Sequence, residues 1–179
     1  MKCLADYILD IVQNSLSAKA TLIEIIVEEN KTGDFCRVKI TDDGCGMSEE
    51  ELKQAANPFF TSRKTRKVGL GLPLLKQNAE HAEGKFSLKS EKGKGTEVEA
   101  IFRLTNIDKP PLGEIWDVFY LTLLGNENVI LVLDYRTEKG NFRVSSDEIR
   151  EATGDVSLQS AEIREAITEL IRNNIKELQ

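Results

Sequence analysis

The chain has 179 residues, 40% of them hydrophobic and 30% charged, with a formal net charge of −6. That length fits one domain with an appendage or two small units, and a chain of this size buries roughly two-thirds of its unfolded surface without disulfide or metal staples. The acidic balance argues against a dominant surface for nucleic acid or an anionic membrane, which needs a clustered basic face.

Leu4, Ile8, Ile11, Val12 and Leu16 fall at helical spacing and predict a helix over 4–18 with one buried stripe. The run from Leu22 to Glu29, rich in isoleucine and valine, predicts a strand. Asn30 to Asp34 is a polar turn, and the alternation from Phe35 to Thr41 predicts a second strand. Ser48 is placed to cap a short helix with Glu49, Glu50 and Glu51 in its first turn, where negative charge complements the dipole. Asn57 to Val68 follows no period and holds Pro58, Ser62, Arg63, Lys64, Arg66 and Lys67, which reads as a loop with a basic middle. A helix is expected from Gly71 to Ala82, with Pro73 tolerated in its first turn. Phe86 to Ser90 and Glu97 to Leu104 read as strands joined by the glycine-rich hairpin Glu91-Lys92-Gly93-Lys94-Gly95. Residues 1–104 therefore predict an α+β two-layer sandwich, a mixed, mostly antiparallel sheet with helices on one face.

Pro110-Pro111 marks a boundary, so residues 105–179 are expected to form a C-terminal α/β extension of unknown role. Leu112 to Leu124 predicts a helix stopped by Gly125. Val129 to Tyr135 predicts an apolar strand, paired with Asn141 to Val144 across Glu138-Lys139-Gly140. Ser145 with Glu148 forms a capping-box pattern for a short helix ending at Gly154. Ser160 opens a last helix with Ile163, Ile167, Leu170, Ile171, Ile175 and Leu178 on one side. The Gly154 turn between two helices has the outline of a helix-turn-helix, but Glu162, Glu165 and Glu169 on the second helix would repel phosphates. Packing on the core, or homodimerisation through Ile163, Ile167 and Leu170, is the more ordinary reading.

Four short segments stand out in fixed order: Asp10-Ile11-Val12-Gln13-Asn14, Asp42-Asp43-Gly44-Cys45-Gly46, Gly69-Leu70-Gly71-Leu72 and Gly95-Thr96. Each alone has a plain explanation: a polar helix face, a hairpin turn, a helix start and a hairpin glycine. Together they resemble the ATP site of the GHKL superfamily, which comprises gyrase, the heat-shock chaperones, histidine kinases and MutL. The chain most resembles histidine kinase catalytic domains. Asn57-Pro58-Phe59-Phe60-Thr61-Ser62-Arg63 is similar to their F-box, and Gly69 to Lys76 to their second glycine box. Asn14-Ser15-Leu16-Ser17-Ala18 is nearer to MutL, which has Asp where this chain has Ser17. The match covers residues 4 to about 103 and implies the Bergerat ATP-binding fold.

The resemblance also implies roles. Asp42, at a strand end, would accept a hydrogen bond from the exocyclic amine of adenine and exclude guanine, which presents an acceptor there. Gly44 and Gly46 would let the backbone turn and approach the base, with Thr96 close by. Asn14 would ligate Mg²⁺, which keeps most of its waters and borrows phosphate oxygens. Asp10, one turn away, would act as the catalytic carboxylate near the γ-phosphate. Members that hydrolyse ATP carry Glu there, one methylene longer. Gly69, Leu70, Gly71 and Leu72 would present free amides and a helix dipole to the phosphates. The loop before them, with Phe60, Arg63 and Lys64, would be the mobile lid.

A histidine kinase also needs a phosphoacceptor histidine in a helical hairpin ahead of the asparagine helix. Here that helix begins almost at Met1, and the single histidine, His81, lies inside the helix after the second glycine box. The expectation is therefore a free-standing regulatory protein that phosphorylates or switches a protein partner, in the manner of anti-sigma serine kinases or a split histidine kinase. The alternatives are an ATP-gated interaction module and a hydrolysing switch of the MutL type with Asp10 as base. Expected ligands are ATP or ADP and Mg²⁺. Cys3, Cys36 and Cys45 match no zinc or CxxC spacing and suit a reducing compartment. No apolar run approaches the roughly 20 residues of a spanning helix, and the N-terminus has no signal-peptide pattern, so a cytoplasmic protein is expected.

Overall fold

The computed structural model describes residues 1–55, 71–154 and 156–179. The first helix, α1 (Leu4–Ser17), leads into β1 (Leu22–Asn30), β2 (Phe35–Asp42) and the short α2 (Glu49–Ala55). Then come α3 (Gly71–His81), β3 (Lys85–Glu91), β4 (Gly95–Arg103) and α4 (Ile115–Gly125). The chain ends with β5 (Ile130–Thr137), β6 (Gly140–Ser145), α5 (Ser146–Thr153) and α6 (Ala161–Leu178). Local pattern and structure agree closely here, because most elements carry both an apolar period and an end signal.

The strands form one six-stranded sheet in the order β3-β4-β2-β1-β5-β6. Every pairing is antiparallel except β1 with β5, which run parallel with Leu22 opposite Ile130 and Ile25 opposite Leu133. The sheet is therefore mixed and mostly antiparallel, and the residues after 104 extend it by two strands.

Strand alternation sorts the two faces. Ile23, Ile25 and Val27 of β1, Val38 and Ile40 of β2, Ala100 and Phe102 of β4, and Leu133 and Tyr135 of β5 are buried in one cluster with Ile8, Ile11, Leu75, Phe119 and Ile171 from the helices. The other face carries Glu28, Arg37, Lys39, Glu97 and Glu99, tied by a ladder of ion pairs: Lys39 to Glu97 at 2.7 Å, Arg37 to Glu28 at 3.0 Å and Arg37 to Glu99 at 3.3 Å. Pairs this accessible keep the face solvated and in register more than they add stability.

Pro110-Pro111, expected as a boundary, leads into a cap for α1. The amides of Leu4 and Ala5, which no residue inside the helix can satisfy, donate to the carbonyls of Pro111 and Leu112 at 2.8 and 2.9 Å. At the other end of the chain, α6 packs on the same core through Ile167, Ile171 and Ile175. Leu170, expected in that stripe, is 45% exposed, because it sits off the row of residues four apart. With Ile167 only 4% exposed, a second copy of the chain could reach Ile163 and Leu170 but not Ile167.

The capping box of α5 forms as the sequence indicates. Ser145 Oγ accepts from the amide of Asp147 at 3.3 Å, and Glu148 accepts from the amide of Ser145 at 2.8 Å. Ser145→Ala is expected to lower the unfolding free energy by about 1 kcal/mol. The midpoint of urea unfolding at unchanged slope reports it.

Candidate functional site

Two of the sequence segments, the Asp42 loop and Gly95-Thr96, meet at one end of the sheet, beside α1. Asp42 closes β2 and is 9% exposed. Its Oδ2 accepts from the hydroxyl of Ser15 on α1 at 2.6 Å, and its Oδ1 accepts from the amide of Gly44 at 2.9 Å. A carboxylate oxygen has two lone-pair directions, so each oxygen, with one bond made, retains an acceptor position. Thr96 is the cross-strand partner of Asp42 in the β2–β4 ladder, and its hydroxyl shares a 2.9 Å hydrogen bond with that of Ser90.

The neighbouring carboxylate has a different occupation. Asp43 accepts from the hydroxyl and amide of Thr21 at 2.6 and 2.7 Å and from the amide of Leu22 at 2.9 Å. Burial works to raise its pKa, but these hydrogen bonds outweigh it and hold the carboxyl below its ordinary value. Asp43 thus ties the loop after β2 to the start of β1, while Asp42 is turned toward Ser15 of α1.

Two glycines of the site are required by close backbone approach. Gly46 has φ +62, and a Cβ there would collide with the carbonyl of Glu91 in the β3–β4 hairpin. Gly95 has φ +100, and its Cβ would collide with the carbonyl of Asp42. The loop and the hairpin are also pinned by the amide of Gly93 on the carbonyl of Cys45 at 2.7 Å and the amide of Met47 on Ser90 Oγ at 2.8 Å. A Cβ on Gly44 would lie 2.9 Å from that of Ala18, tight against the end of α1. Cys45, between these glycines, is exposed, whereas Cys36 is buried and its thiol is pushed up to about 12 by that burial.

The other end of the site lies along α1. Asp10 and Asn14 stand one turn apart and are partly buried. Gly71, the first residue of α3, is packed so tightly on Asp10 that a Cβ would overlap its carboxylate. The start of α3, where backbone amides have no partner inside the helix, thus abuts Asp10. Leu72 is partly buried against the core. Farther along, Asn78 Nδ2 donates to the hydroxyl of Tyr7 at 2.5 Å. Burial raises the Tyr7 pKa more than this bond lowers it, so the phenol stays neutral. Phe60, Arg63, Lys64, Gly69 and Leu70 lie outside the described residues, as does the loop read from sequence as a lid.

Sequence reasoning missed Ser15, Asp43, Ser90, Tyr7 and Asn78. Ser15 had a signal: it is a polar residue within the buried stripe of Ile8, Ile11 and Val12, and buried hydroxyls need a partner. Ser90 and Asn78 had none, since their importance comes from what they reach across the fold. His81 is exposed at the end of α3.

Residues 3–106 match the family model described as histidine kinase-, DNA gyrase B-, and HSP90-like ATPase. Sporulation kinase C of Bacillus subtilis (strain 168) is 30% identical over 96 residues, covering 54% of this chain and 22% of that protein. The cell-division control histidine kinase PdhS of Brucella ovis is 32% identical over 114 residues, covering 55% of this chain and 11% of that protein. The chain therefore spans less than a quarter of the length of either kinase. Among solved structures, the N-terminal domain of a DNA repair protein superposes with a TM-score of 0.57 at 17% identity, over 81% of this chain and 52% of that chain. That coverage is larger than residues 3–106 alone supply, so the likeness of fold extends into the strands and helices that follow them.

Proposed function

This chain belongs to the histidine kinase-, DNA gyrase B- and HSP90-like ATPase family, and from that premise we propose that it is an ATP-binding regulatory protein that phosphorylates or switches a protein partner. The observation that carries this reading is the arrangement along α1. Ser15 of that helix touches Asp42 at one end of the site, and Asp10 touches Gly71 at the other. The two points are separated by about 7.5 Å of helix rise. One rigid element thus joins a buried acceptor suited to adenine to a helix start suited to phosphate.

In this reading Asp42 receives the adenine amine on an acceptor position that Ser15 and Gly44 leave open, with Gly44, Gly46 and Thr96 shaping its surroundings. Asn14 supplies an amide oxygen for Mg²⁺, a ligand type that ion accepts. The ion, when bound, neutralises phosphate charge. Gly71 and Leu72 start the phosphate-facing turn, with Gly69, Leu70, Arg63, Lys64 and Phe60 contributed from the segment before it. Phosphoryl transfer asks for positioning and charge stabilisation more than for covalent chemistry, so the chain need only present ATP to an acceptor on another polypeptide or domain.

A second reading is favoured by one specific observation. Asp10 is held beside the start of α3, where a carboxylate could orient or deprotonate a water, as a hydrolysing switch requires. ATP labelled at the γ-phosphate, incubated with pure protein and Mg²⁺, separates the two. The regulatory-kinase reading expects bound ATP to keep its label until a partner with an acceptor is added. Release of free phosphate that Asp10→Asn stops would transfer the conclusion to the hydrolysing switch.

A further inference from the structure

α3 is held by few large apolar contacts. Its buried residues are Gly71, Leu75 and Ala79, so Leu75 is the one large side chain it buries fully, with Leu72 and Leu74 partly buried beside it. Apolar burial is non-directional, and one large anchor with two small residues fixes a helix's rotation less tightly than several interdigitating side chains would. Directional contacts therefore add to its placement. Among the described residues, the close packing of Gly71 on Asp10 and the hydrogen bond from Asn78 to Tyr7 at 2.5 Å join α3 to α1. Gly71 and Asn78 are seven residues apart, close to two turns, and so lie on one face of α3 with about 10.5 Å of rise between them. Tyr7 and Asp10 are three apart and share a face of α1. The pair works as a two-point clamp, in which the bond at Tyr7 governs the angle at which the first turn of α3 meets Asp10. Tyr7 is 3% exposed, so its side chain is anchored and little free to follow a moving partner.

We infer that Tyr7 and Asn78 are positioning residues, whose hydrogen bond sets the start of α3 against Asp10 and so determines how tightly the phosphate end of a nucleotide is held. This rests on the site reading proposed above. Anion capture by helix amides depends on placement to within about 0.5 Å, so a small rotation of α3 about Asn78 would be felt at Gly71. The adenine end is built from β2, the β3–β4 hairpin and Ser15 of α1, none of which belongs to α3, so a rotation of α3 reaches it less directly.

The test compares ATP with adenosine, both titrated calorimetrically in the presence of Mg²⁺, on wild type, Tyr7→Phe, Asn78→Leu and the double variant. Each single change is expected to weaken ATP about three- to tenfold and leave adenosine within about twofold. The double variant should be no weaker than the worse single one, because both remove the same bond. Parallel loss of ATP and adenosine would assign the pair a merely structural role and overturn the inference, as would no loss at all. If wild type itself binds ATP no better than adenosine, the site reading fails first, an outcome visible before any variant is made.

Discussion

Asp42→Asn is expected to lower ATP affinity by a factor of ten or more while leaving the fold intact. Both halves follow from the hydrogen bonds around the side chain. The asparagine oxygen can keep the Gly44 amide, and its NH₂ can donate to Ser15 Oγ. The Ser15 hydroxyl then turns to the carbonyl of Ile11, already 3.2 Å away. No buried group is left unpaired, so the large penalty for an orphaned donor or acceptor does not arise. The remaining N–H of the new amide takes the place of the acceptor position that Oδ2 had left open. An adenine amine arriving there meets a donor. Losing a charge-assisted bond and gaining that conflict costs on the order of 1.5–3 kcal/mol, tenfold or more in affinity. The same amide suits the carbonyl of guanine, so the preference for ATP over GTP should shrink as well. Calorimetric titration of both nucleotides checks this, and unchanged ATP affinity in a folded variant would remove Asp42 from the adenine site.

Gly95→Ala is expected to be the most destabilising single-methyl change in the site. Two costs coincide there: φ of +100, which L side chains rarely adopt, and a Cβ driven into the carbonyl of Asp42. The obstacle is backbone within a paired strand, so it cannot swing aside as a flexible side chain would. Strain and overpacking together should lower the unfolding free energy by about 3 kcal/mol or more. Gly93→Ala supplies the control, because Gly93 has φ +82 with nothing near its Cβ, and strain alone should cost about 1 kcal/mol. Urea midpoints of the two variants measure the difference. Equal destabilisation would mean that the contact on Asp42 relaxes freely. A larger loss at Gly95 should also bring weaker ATP binding, since the displaced carbonyl belongs to Asp42, the residue proposed to receive adenine.

Much of this molecule was readable from local pattern. Helices α1, α3, α5 and α6 announced themselves by apolar spacing and by end residues such as Ser145 and Ser160, whose side chains accept from the amides of Asp147 and Ile163. Strands β1, β2 and β5 did so by runs of branched apolar residues. The four-segment order pointed to the family, since spacing between motifs survives when overall identity is low. What stayed hidden was occupation. Two adjacent aspartates look alike in a string, yet Asp43 is consumed by Thr21 and Leu22 while Asp42 meets Ser15. Gly46 read as a residue that lets a base approach, and the structure adds a second demand on it, since its Cβ position is taken by the carbonyl of Glu91.

The sequence by itself determined the elements, the solvated and buried faces of the strands, and the family, because each depends on residues within one or two turns of one another or on ordered motifs. Only the tertiary structure decided that β5 lies parallel beside β1, with Leu22 opposite Ile130. Such a pairing joins residues about a hundred positions apart, and no local period encodes it. It likewise decided that α1 touches both Asp42 and Gly71, which makes one helix the common wall of the site. That contact follows from how the core closes over Ile8, Ile11 and Val12. Packing of this kind is satisfied collectively, so it cannot be read from any one segment.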